Sequence, residues 1–313
     1  MKMIEAVRYQ PSLKTAWDAF VDVSKNGTFL LKRDYMDYHS DRFTDYSLLF
    51  FEGENLKALL PASMHGKRVV SHGGLTYGGL ILDRSMTVGC TLEVMDSLIS
   101  FYKGEGMEEL AYKRIPPIYY SYPSDEDLYA LFRNGATLSK CGISSAVYLP
   151  ERIRYSKGRR CNISKANKSG LVFSESRDLS GFFELLTVVL KQRHGVAPVH
   201  SAEEIAYLQS KFPENIRLFV AEREGRILAG SLVYETSLVA HTQYLANSEE
   251  GRSCGALDFV VDKLISEVYS VKRFFDFGIS TEEGGRVLND GLASQKQEYG
   301  ARGVVYNEYS IGL

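Results

Sequence analysis

The feature that most constrains this 313-residue chain is an internal repeat, at an offset of about 165 to 170 residues, close to half its length. Phe51-Glu52-Gly53-Glu54-Asn55-Leu56 and Ala221-Glu222-Arg223-Glu224-Gly225-Arg226-Ile227 each lie between apolar runs and predict hairpin turns. Val94-Met95-Asp96-Ser97-Leu98-Ile99-Ser100 parallels Val260-Val261-Asp262-Lys263-Leu264-Ile265-Ser266. Asn134-Gly135-Ala136-Thr137 closes a helical pattern as Tyr299-Gly300-Ala301-Arg302 does, the glycine supplying a left-handed C-cap. Three landmarks in one order predict a duplicated domain, residues 1–150 and 151–313. The length agrees, because single cores rarely grow past roughly 250–300 residues.

Periodicity orders the elements of the second half. Phe182, Phe183, Leu186, Val189 and Leu190 predict a helix over about 179–192, and a short helix follows near 202–211. Strands are expected at 216–223, 226–236 and 238–246, then a helix with its apolar stripe on Leu257, Val260, Val261, Leu264, Ile265 and Val268. Arg273-Phe274-Phe275-Asp276-Phe277-Gly278 reads as a buried strand, followed by a helix over 286–298 and a strand through Gly303-Val304-Val305-Tyr306. The first half repeats most of this: a helix at 13–23, strands at 46–52, 55–62 and 68–82, a helix at 88–103, a strand at 108–115, a helix at 125–134 and a strand at 143–149. The fold class is therefore α/β, each half a mixed sheet with helices.

Charge narrows the function. With 37 basic and 39 acidic residues the net charge is −2, too balanced for a dedicated nucleic-acid protein, whose phosphate contacts need a concentrated basic surface. Residues 152–168 are the local exception, with Arg152, Arg154, Lys157, Arg159, Arg160, Lys165 and Lys168 and no acidic residue. No apolar run approaches a membrane span and the amino-terminal residues lack the apolar core of a signal peptide, so a cytoplasmic protein is expected. Cys90, Cys141, Cys161 and Cys254 are scattered without zinc-ligand spacing, and no metal is expected.

Two segments of the second half carry candidate chemistry. Asn247-Ser248-Glu249-Glu250-Gly251-Arg252-Ser253-Cys254-Gly255-Ala256 joins a strand to a helix; a glycine-bearing turn there would offer unpaired N–H groups and a helix dipole to a pyrophosphate. The second is Asp276, set among Phe274, Phe275 and Phe277, where a carboxylate is costly unless paired or raised in pKa; it is a candidate base or an orienter of a cation, with a hydrogen-bonded structural carboxylate as the alternative. His241 and Tyr244 lie three apart, on opposite faces of a regular strand, so one of them is expected to face a reaction site. Glu282 ends a strand, while Asn289 and Lys296, seven apart, are expected to share a helix face near an acyl donor. In the first half Ser71-His72-Gly73-Gly74-Leu75-Thr76-Tyr77-Gly78-Gly79 has four glycines in nine residues, which predicts a bulge or a close ligand approach.

The element order and Arg252-x-x-Gly255-Ala256 resemble the GNAT acyltransferase superfamily, whose phosphate-binding turn reads Arg/Gln-x-x-Gly-x-Gly/Ala; here the last small residue comes one position early. His241-Thr242-Gln243-Tyr244-Leu245-Ala246, Phe275 through Glu282, Leu288-Asn289-Asp290-Gly291-Leu292, Lys296 and Tyr299-Gly300-Ala301-Arg302 are similar to the carboxy-terminal half of the tandem-GNAT group that includes the Fem peptidoglycan aminoacyl transferases. Arg159-Arg160-Cys161-Asn162-Ile163-Ser164-Lys165-Ala166 resembles the basic helix entering that group's second domain, and His72-x-Gly-Leu-x-Tyr77-Gly-Gly resembles strings in the same relatives. The resemblance implies two tandem GNAT-like domains, the first degenerate and on the acceptor side, the second carrying the acyl donor, with an acceptor cleft between the halves. It implies Asp276, Tyr244, Glu282 and His241 as catalytic candidates, Arg252, Gly255, Ala256, Asn289 and Lys296 as donor contacts, and His72, Tyr77, Arg159 and Lys165 as acceptor contacts. The expected reaction moves an acyl group from acetyl or acyl coenzyme A to an amine of a polar small molecule or bacterial cell-envelope precursor. The absence of a long charged arm between residues 193 and 216 favours coenzyme A over the alternative, aminoacyl-tRNA. A non-catalytic ligand-binding scaffold is the third reading.

Overall fold

The computed structural model describes residues 4–313, the side chains of His39 and His194 apart. The chain divides into two compact units, Met1–Ile143 with Thr281–Val287 and Val305–Leu313, and Ser144–Ser280 with Leu288–Val304. The first therefore takes two segments from the second half of the sequence, and the second takes residues 144–150 from the first half.

The first unit begins with β1 (Ile4–Arg8), α1 (Lys14–Val23), α2 (Arg33–Met36), β2 (Thr44–Asp45), β3 (Leu48–Glu52), β4 (Asn55–Leu60), β5 (Ser63–His65), β6 (Arg68–Val70) and β7 (Ile81–Leu82). It continues through α3 (Val88–Gly104), β8 (Glu109–Lys113), α4 (Glu126–Arg133) and the first part of β9 (Thr137–Tyr148). β1, β3, β4 and β7 form an antiparallel sheet, while β6 pairs antiparallel with β5 and parallel with β8. The strand expected over 68–82 is therefore two short strands. Residues 71–80 leave the ladder because His72 (φ 58°) and Gly79 (φ 73°) take left-handed conformations and a Cβ at Gly78 would stand 2.1 Å from the Ser71 carbonyl oxygen. The core lies where Val94, Met95, Leu98 and Tyr102 of α3 meet Leu48, Phe50, Ala58 and Leu60 of the sheet.

The second unit holds α5 (Lys157–Ala166), β10 (Val172–Ser176), α6 (Leu179–His194), α7 (Ala202–Lys211), β11 (Ile216–Arg223), β12 (Arg226–Glu235), β13 (Val239–Asn247), α8 (Glu249–Cys254), α9 (Ala256–Lys263) and β14 (Phe274–Ile279). After β15 (Thr281–Glu282) and β16 (Val287–Leu288) come α10 (Asp290–Gln297) and β17 (Arg302–Gly312). Glu224 (φ 52°) and Gly225 (φ 71°) form the two-residue hairpin between β11 and β12, both left-handed as a type I′ turn requires. α7 starts on a reciprocal capping box between Ser201 and Glu204, and α6 ends on Gly195 at φ 67°. Val260, Val261, Leu264 and Ile265 press one face of the sheet through Phe219, Val233, Phe275 and Phe277. β10 to β13 are antiparallel neighbours, β13 pairs parallel with β14, and β14 pairs antiparallel with the end of β9.

The landmarks of the repeat fall on corresponding elements. Gly53 (φ 63°) turns β3 into β4 as Gly225 turns β11 into β12, and Gly135 (φ 68°) and Gly300 (φ 83°) follow α4 and α10.

Candidate active site

β13 and β14 run side by side for only three residues. Their register goes from Val239↔Phe274 to His241↔Asp276 and stops there. Beyond that point β13 continues to Asn247 beside β12, while β14 shifts register between Asp276 and Ile279 as it follows β9. The two strands part, leaving a cavity of about 190 Å³ with Leu245 of β13 and Phe277 of β14 on its walls and Lys296 of α10 beside them.

The last paired position holds an acid and a base. Asp276 is fully buried; its Oδ1 accepts a 2.5 Å bond from Ser144 Oγ and a longer one from the Gly278 N–H, and its Oδ2 lies 2.8 Å from His241 Nδ1. A carboxylate accepts only, so His241 presents Nδ1–H to it and leaves Nε2 as the nitrogen with a lone pair. Unpaired, such a charge would cost several kcal/mol, and these donors are what permits an aspartate between phenylalanines. The expectation of Asp276 as the base is thus altered: with no exposure of its own it is placed to orient His241, whose side chain keeps 17% exposure.

Gly278 joins this pair to Lys296. At φ 79° it adopts a conformation that a Cβ would strain, and that Cβ would stand 3.3 Å from His241 Cε1. Its carbonyl accepts 2.8 Å from Lys296 Nζ, which also donates to Ile279 O at 2.9 Å and Ser280 Oγ at 2.8 Å. Burial lowers the Lys296 amine to about 8, against an attraction from Asp276. The expected helix over 286–298 begins at Asp290 because Asn289 is its N-cap, its Oδ1 taking the Leu292 N–H at 3.0 Å. Asn289 therefore does not share a helical face with Lys296.

Tyr244 departs from expectation for a different reason. Leu232 pairs with Tyr244 but Val233 with Thr242, so Gln243 is an extra residue and the strand bulges. The bulge resets the alternation and puts His241 and Tyr244, opposite Tyr234 and Leu232, on one face. Tyr244 packs edge-on to Phe183 of α6, and its hydroxyl is 2.8 Å from His200 Nδ1; burial raises its pKa. Glu282 is exposed on β15, in the first unit.

The expected pyrophosphate turn is not an open loop. Residues 249–254 are helical: Ser248 Oγ accepts the Gly251 N–H at 2.8 Å, Ser248 O the Arg252 N–H at 2.9 Å, and Gly251 O the Gly255 N–H. Gly255, left-handed at φ 81°, kinks α8 into α9, and a Cβ there would stand 2.8 Å from the Asn162 carbonyl oxygen of α5. Arg252 donates to Asn247 O at 3.1 Å, and Ala256 is fully buried. The Gly251 and Arg252 N–H groups are thus bonded within the segment, and Gly255 packs against the Asn162 carbonyl of α5.

Of the basic residues expected to meet an acceptor, Arg159 is instead structural. Its guanidinium reaches Asp258 at 2.7 Å and Glu298 at 2.8 Å above the Tyr299 ring, and Asp258 also accepts from Asn162 and Tyr299. Lys165 is exposed with its ammonium 2.5 Å from Ser253 O. In the first unit Tyr77 is buried, bonded to Thr28 Oγ1 at 3.0 Å and packed on Tyr119, and His72 is buried beside Phe43. Beneath the same glycine loop Lys113 donates to Leu75 O, and burial lowers its amine to about 8.

Ser144 and Gly278 escaped the sequence reading. Ser144 meets Asp276 across 132 residues, with no local signal. A glycine at the end of a strand pattern does mark a bulge, and Phe277-Gly278 carried that signal. Among the described residues no group of three His, Cys, Asp or Glu is placed to hold a metal ion, and no helix is long and apolar enough to cross a membrane.

By sequence the chain matches no protein-family model and no curated protein. By structure it is similar to FemX, at 13% identity over 99% of this chain and 97% of that one, with a TM-score of 0.72. It is similar to L-PGS from Bacillus licheniformis at 16% identity over 97% and 92%, TM-score 0.64, and to a tandem GNAT protein from the clavulanic acid biosynthesis pathway at 10% over 99% and 98%, TM-score 0.52. The chain has the tandem GNAT fold, the fold of FemX.

Proposed function

We propose that the chain is an acyltransferase that moves an acyl group from an ester donor, with aminoacyl-tRNA as the leading candidate, to an amine of a polar cell-envelope precursor. The observation that carries this is the parting of β13 and β14 at the His241–Asp276 pair, with Lys296 on the wall of the resulting cavity. Coenzyme A is the alternative donor. The helical 249–254 segment counts against it, since the Gly251 and Arg252 N–H groups that would meet its diphosphate are already bonded to Ser248. Structural similarity to the C-terminal domain of a putative lysylphosphatidylglycerol synthetase supports an aminoacyl group and an envelope acceptor.

In this reading the neutral amine attacks the ester carbonyl, forming the C–N bond, and His241 Nε2 takes the proton that the nitrogen sheds. Collapse breaks the C–O bond, and the imidazolium returns the proton to the departing hydroxyl. Asp276 holds the tautomer and offsets the transient imidazolium charge, as its 2.8 Å contact allows. The Lys296 ammonium, still mostly protonated at neutral pH with a pKa of about 8, spends its protons on Gly278 O, Ile279 O and Ser280 Oγ, so its charge would offset the negative charge growing on the carbonyl oxygen through space and not by a direct bond.

Thermal unfolding with each donor tests the reading. Stabilisation by a 3′-aminoacylamido-adenosine, a stable mimic of the tRNA end, and not by acetyl coenzyme A is expected. Stabilisation by acetyl coenzyme A alone would overturn the donor assignment, and by neither would overturn the transferase.

A further inference from the structure

Resting on that reading, we infer that the cavity between β13 and β14 selects the acyl group by its side chain, admitting an uncharged apolar branch of roughly leucine to phenylalanine size and rejecting cationic ones. Its size comes first. At about 190 Å³ it is somewhat larger than the engineered 150 Å³ cavity, lined by Leu, Ile and Phe, that stays dry and binds benzene. An alanyl or seryl side chain would leave most of it empty, and an empty apolar cavity forfeits both transfer energy and contacts.

Its walls set the polarity. Leu245, Leu257, Val261, Phe277, Leu292 and Tyr299 supply apolar surface on several sides. The charged lining residues are Arg193 and Lys296, both cations, and no lining residue is acidic. Lys296 already donates to three oxygens, so it offers an incoming group no free proton. A lysyl or arginyl side chain would enter a space that already holds two like charges, with the amides of Asn247 and Gln295 to accept from it and no carboxylate to balance its charge, which is costly. The wall is also built rather than accidental: Phe277 and Tyr299 stack at 5.4 Å, and Tyr299 is fixed by Asp258.

The test measures binding of 3′-aminoacylamido-adenosines bearing Leu, Phe, Ala, Ser, Lys and Glu side chains to the full-length protein. One methylene in an apolar pocket changes selectivity roughly 10-fold or more, so the Leu and Phe compounds are expected to bind at least about 30-fold more tightly than Ala, and Lys weakest. Leu292 stands exposed at the cavity edge; Leu292→Trp is expected to fill the cavity and weaken Leu and Phe binding at least about 10-fold, removing their preference. Equal binding across the series, or preference for Ala, Ser, Lys or Glu, would overturn the inference and leave the transferase reading intact. A preference that survives Leu292→Trp would also overturn it, by placing the selecting pocket elsewhere. Binding of none would overturn both.

Discussion

His241 and Asp276 are register partners at the last position where β13 and β14 pair, and there the imidazole Nδ1 lies 2.8 Å from the carboxylate. One contact thus marks both the point where the sheet opens and the group able to move a proton beside the opening.

Asp276 acts through His241, so their effects should not add. Asp276→Asn is expected to leave folding intact and lower turnover at least about 10-fold, and His241→Ala about 100-fold. The double variant should be no slower than His241→Ala, because the aspartate's contribution to turnover runs through the imidazole. Steady-state rates of the four proteins check this; independent, multiplying losses would separate the two residues.

Lys296 should set the alkaline limb of the rate profile. Its amine is lowered to about 8, chiefly by burial, so the useful ammonium is lost as pH rises through 8. Activity should fall above that pH, and in Lys296→Arg, which stays charged, any residual activity should persist past pH 10. Stability moves the opposite way. Between about 8 and the ordinary 10.5 the unfolded chain binds the proton that the folded chain does not, so folding strengthens with pH over that window. Lys113, lowered to about 8 by its own burial, adds to the same slope, and Lys296→Met should remove only part of it.

Gly278→Ala should damage the site without dissolving the fold. A Cβ at φ 79° and 3.3 Å from His241 costs about 1–3 kcal/mol and pushes the imidazole aside. Denaturant midpoints and turnover should fall together; unchanged turnover would show that Gly278 does not fix His241.

Arg159→Ala should lower stability by about 3 kcal/mol, because it leaves the buried Asp258 carboxylate without a cation and with only the Asn162 and Tyr299 donors, and should leave the affinity for donor analogues nearly unchanged. A loss of affinity at full stability would restore Arg159 to the binding surface.

Much of the fold was legible because it repeats local patterns. The stripe from Leu257 to Ile265, the short helix near 202–211 and the turn at Glu224-Gly225 follow from spacing alone, and the structure places the corresponding elements within a few residues. The misreadings are long-range or left-handed. Nothing near Gln243 announces the bulge that brings Tyr244 onto the face of His241, because it arises from pairing with Leu232 and Val233. Arg252 to Ala256 carried the residues of a phosphate turn, but Ser248 caps the segment into a helix and Asn162 closes on Gly255. Asp276 stood out in sequence because it interrupts phenylalanines; its role depended on Ser144 and His241, both more than 30 residues away.

The central claim is that the parted strands admit the acyl group, and crystallography of the protein with a bound 3′-phenylalanylamido-adenosine tests it most directly. The account predicts density for the phenyl ring between Leu245 and Phe277, with the amide carbonyl beside Gly278 and within reach of His241 and Lys296. Ligand density elsewhere on the second unit, with the cavity between β13 and β14 empty, would contradict it.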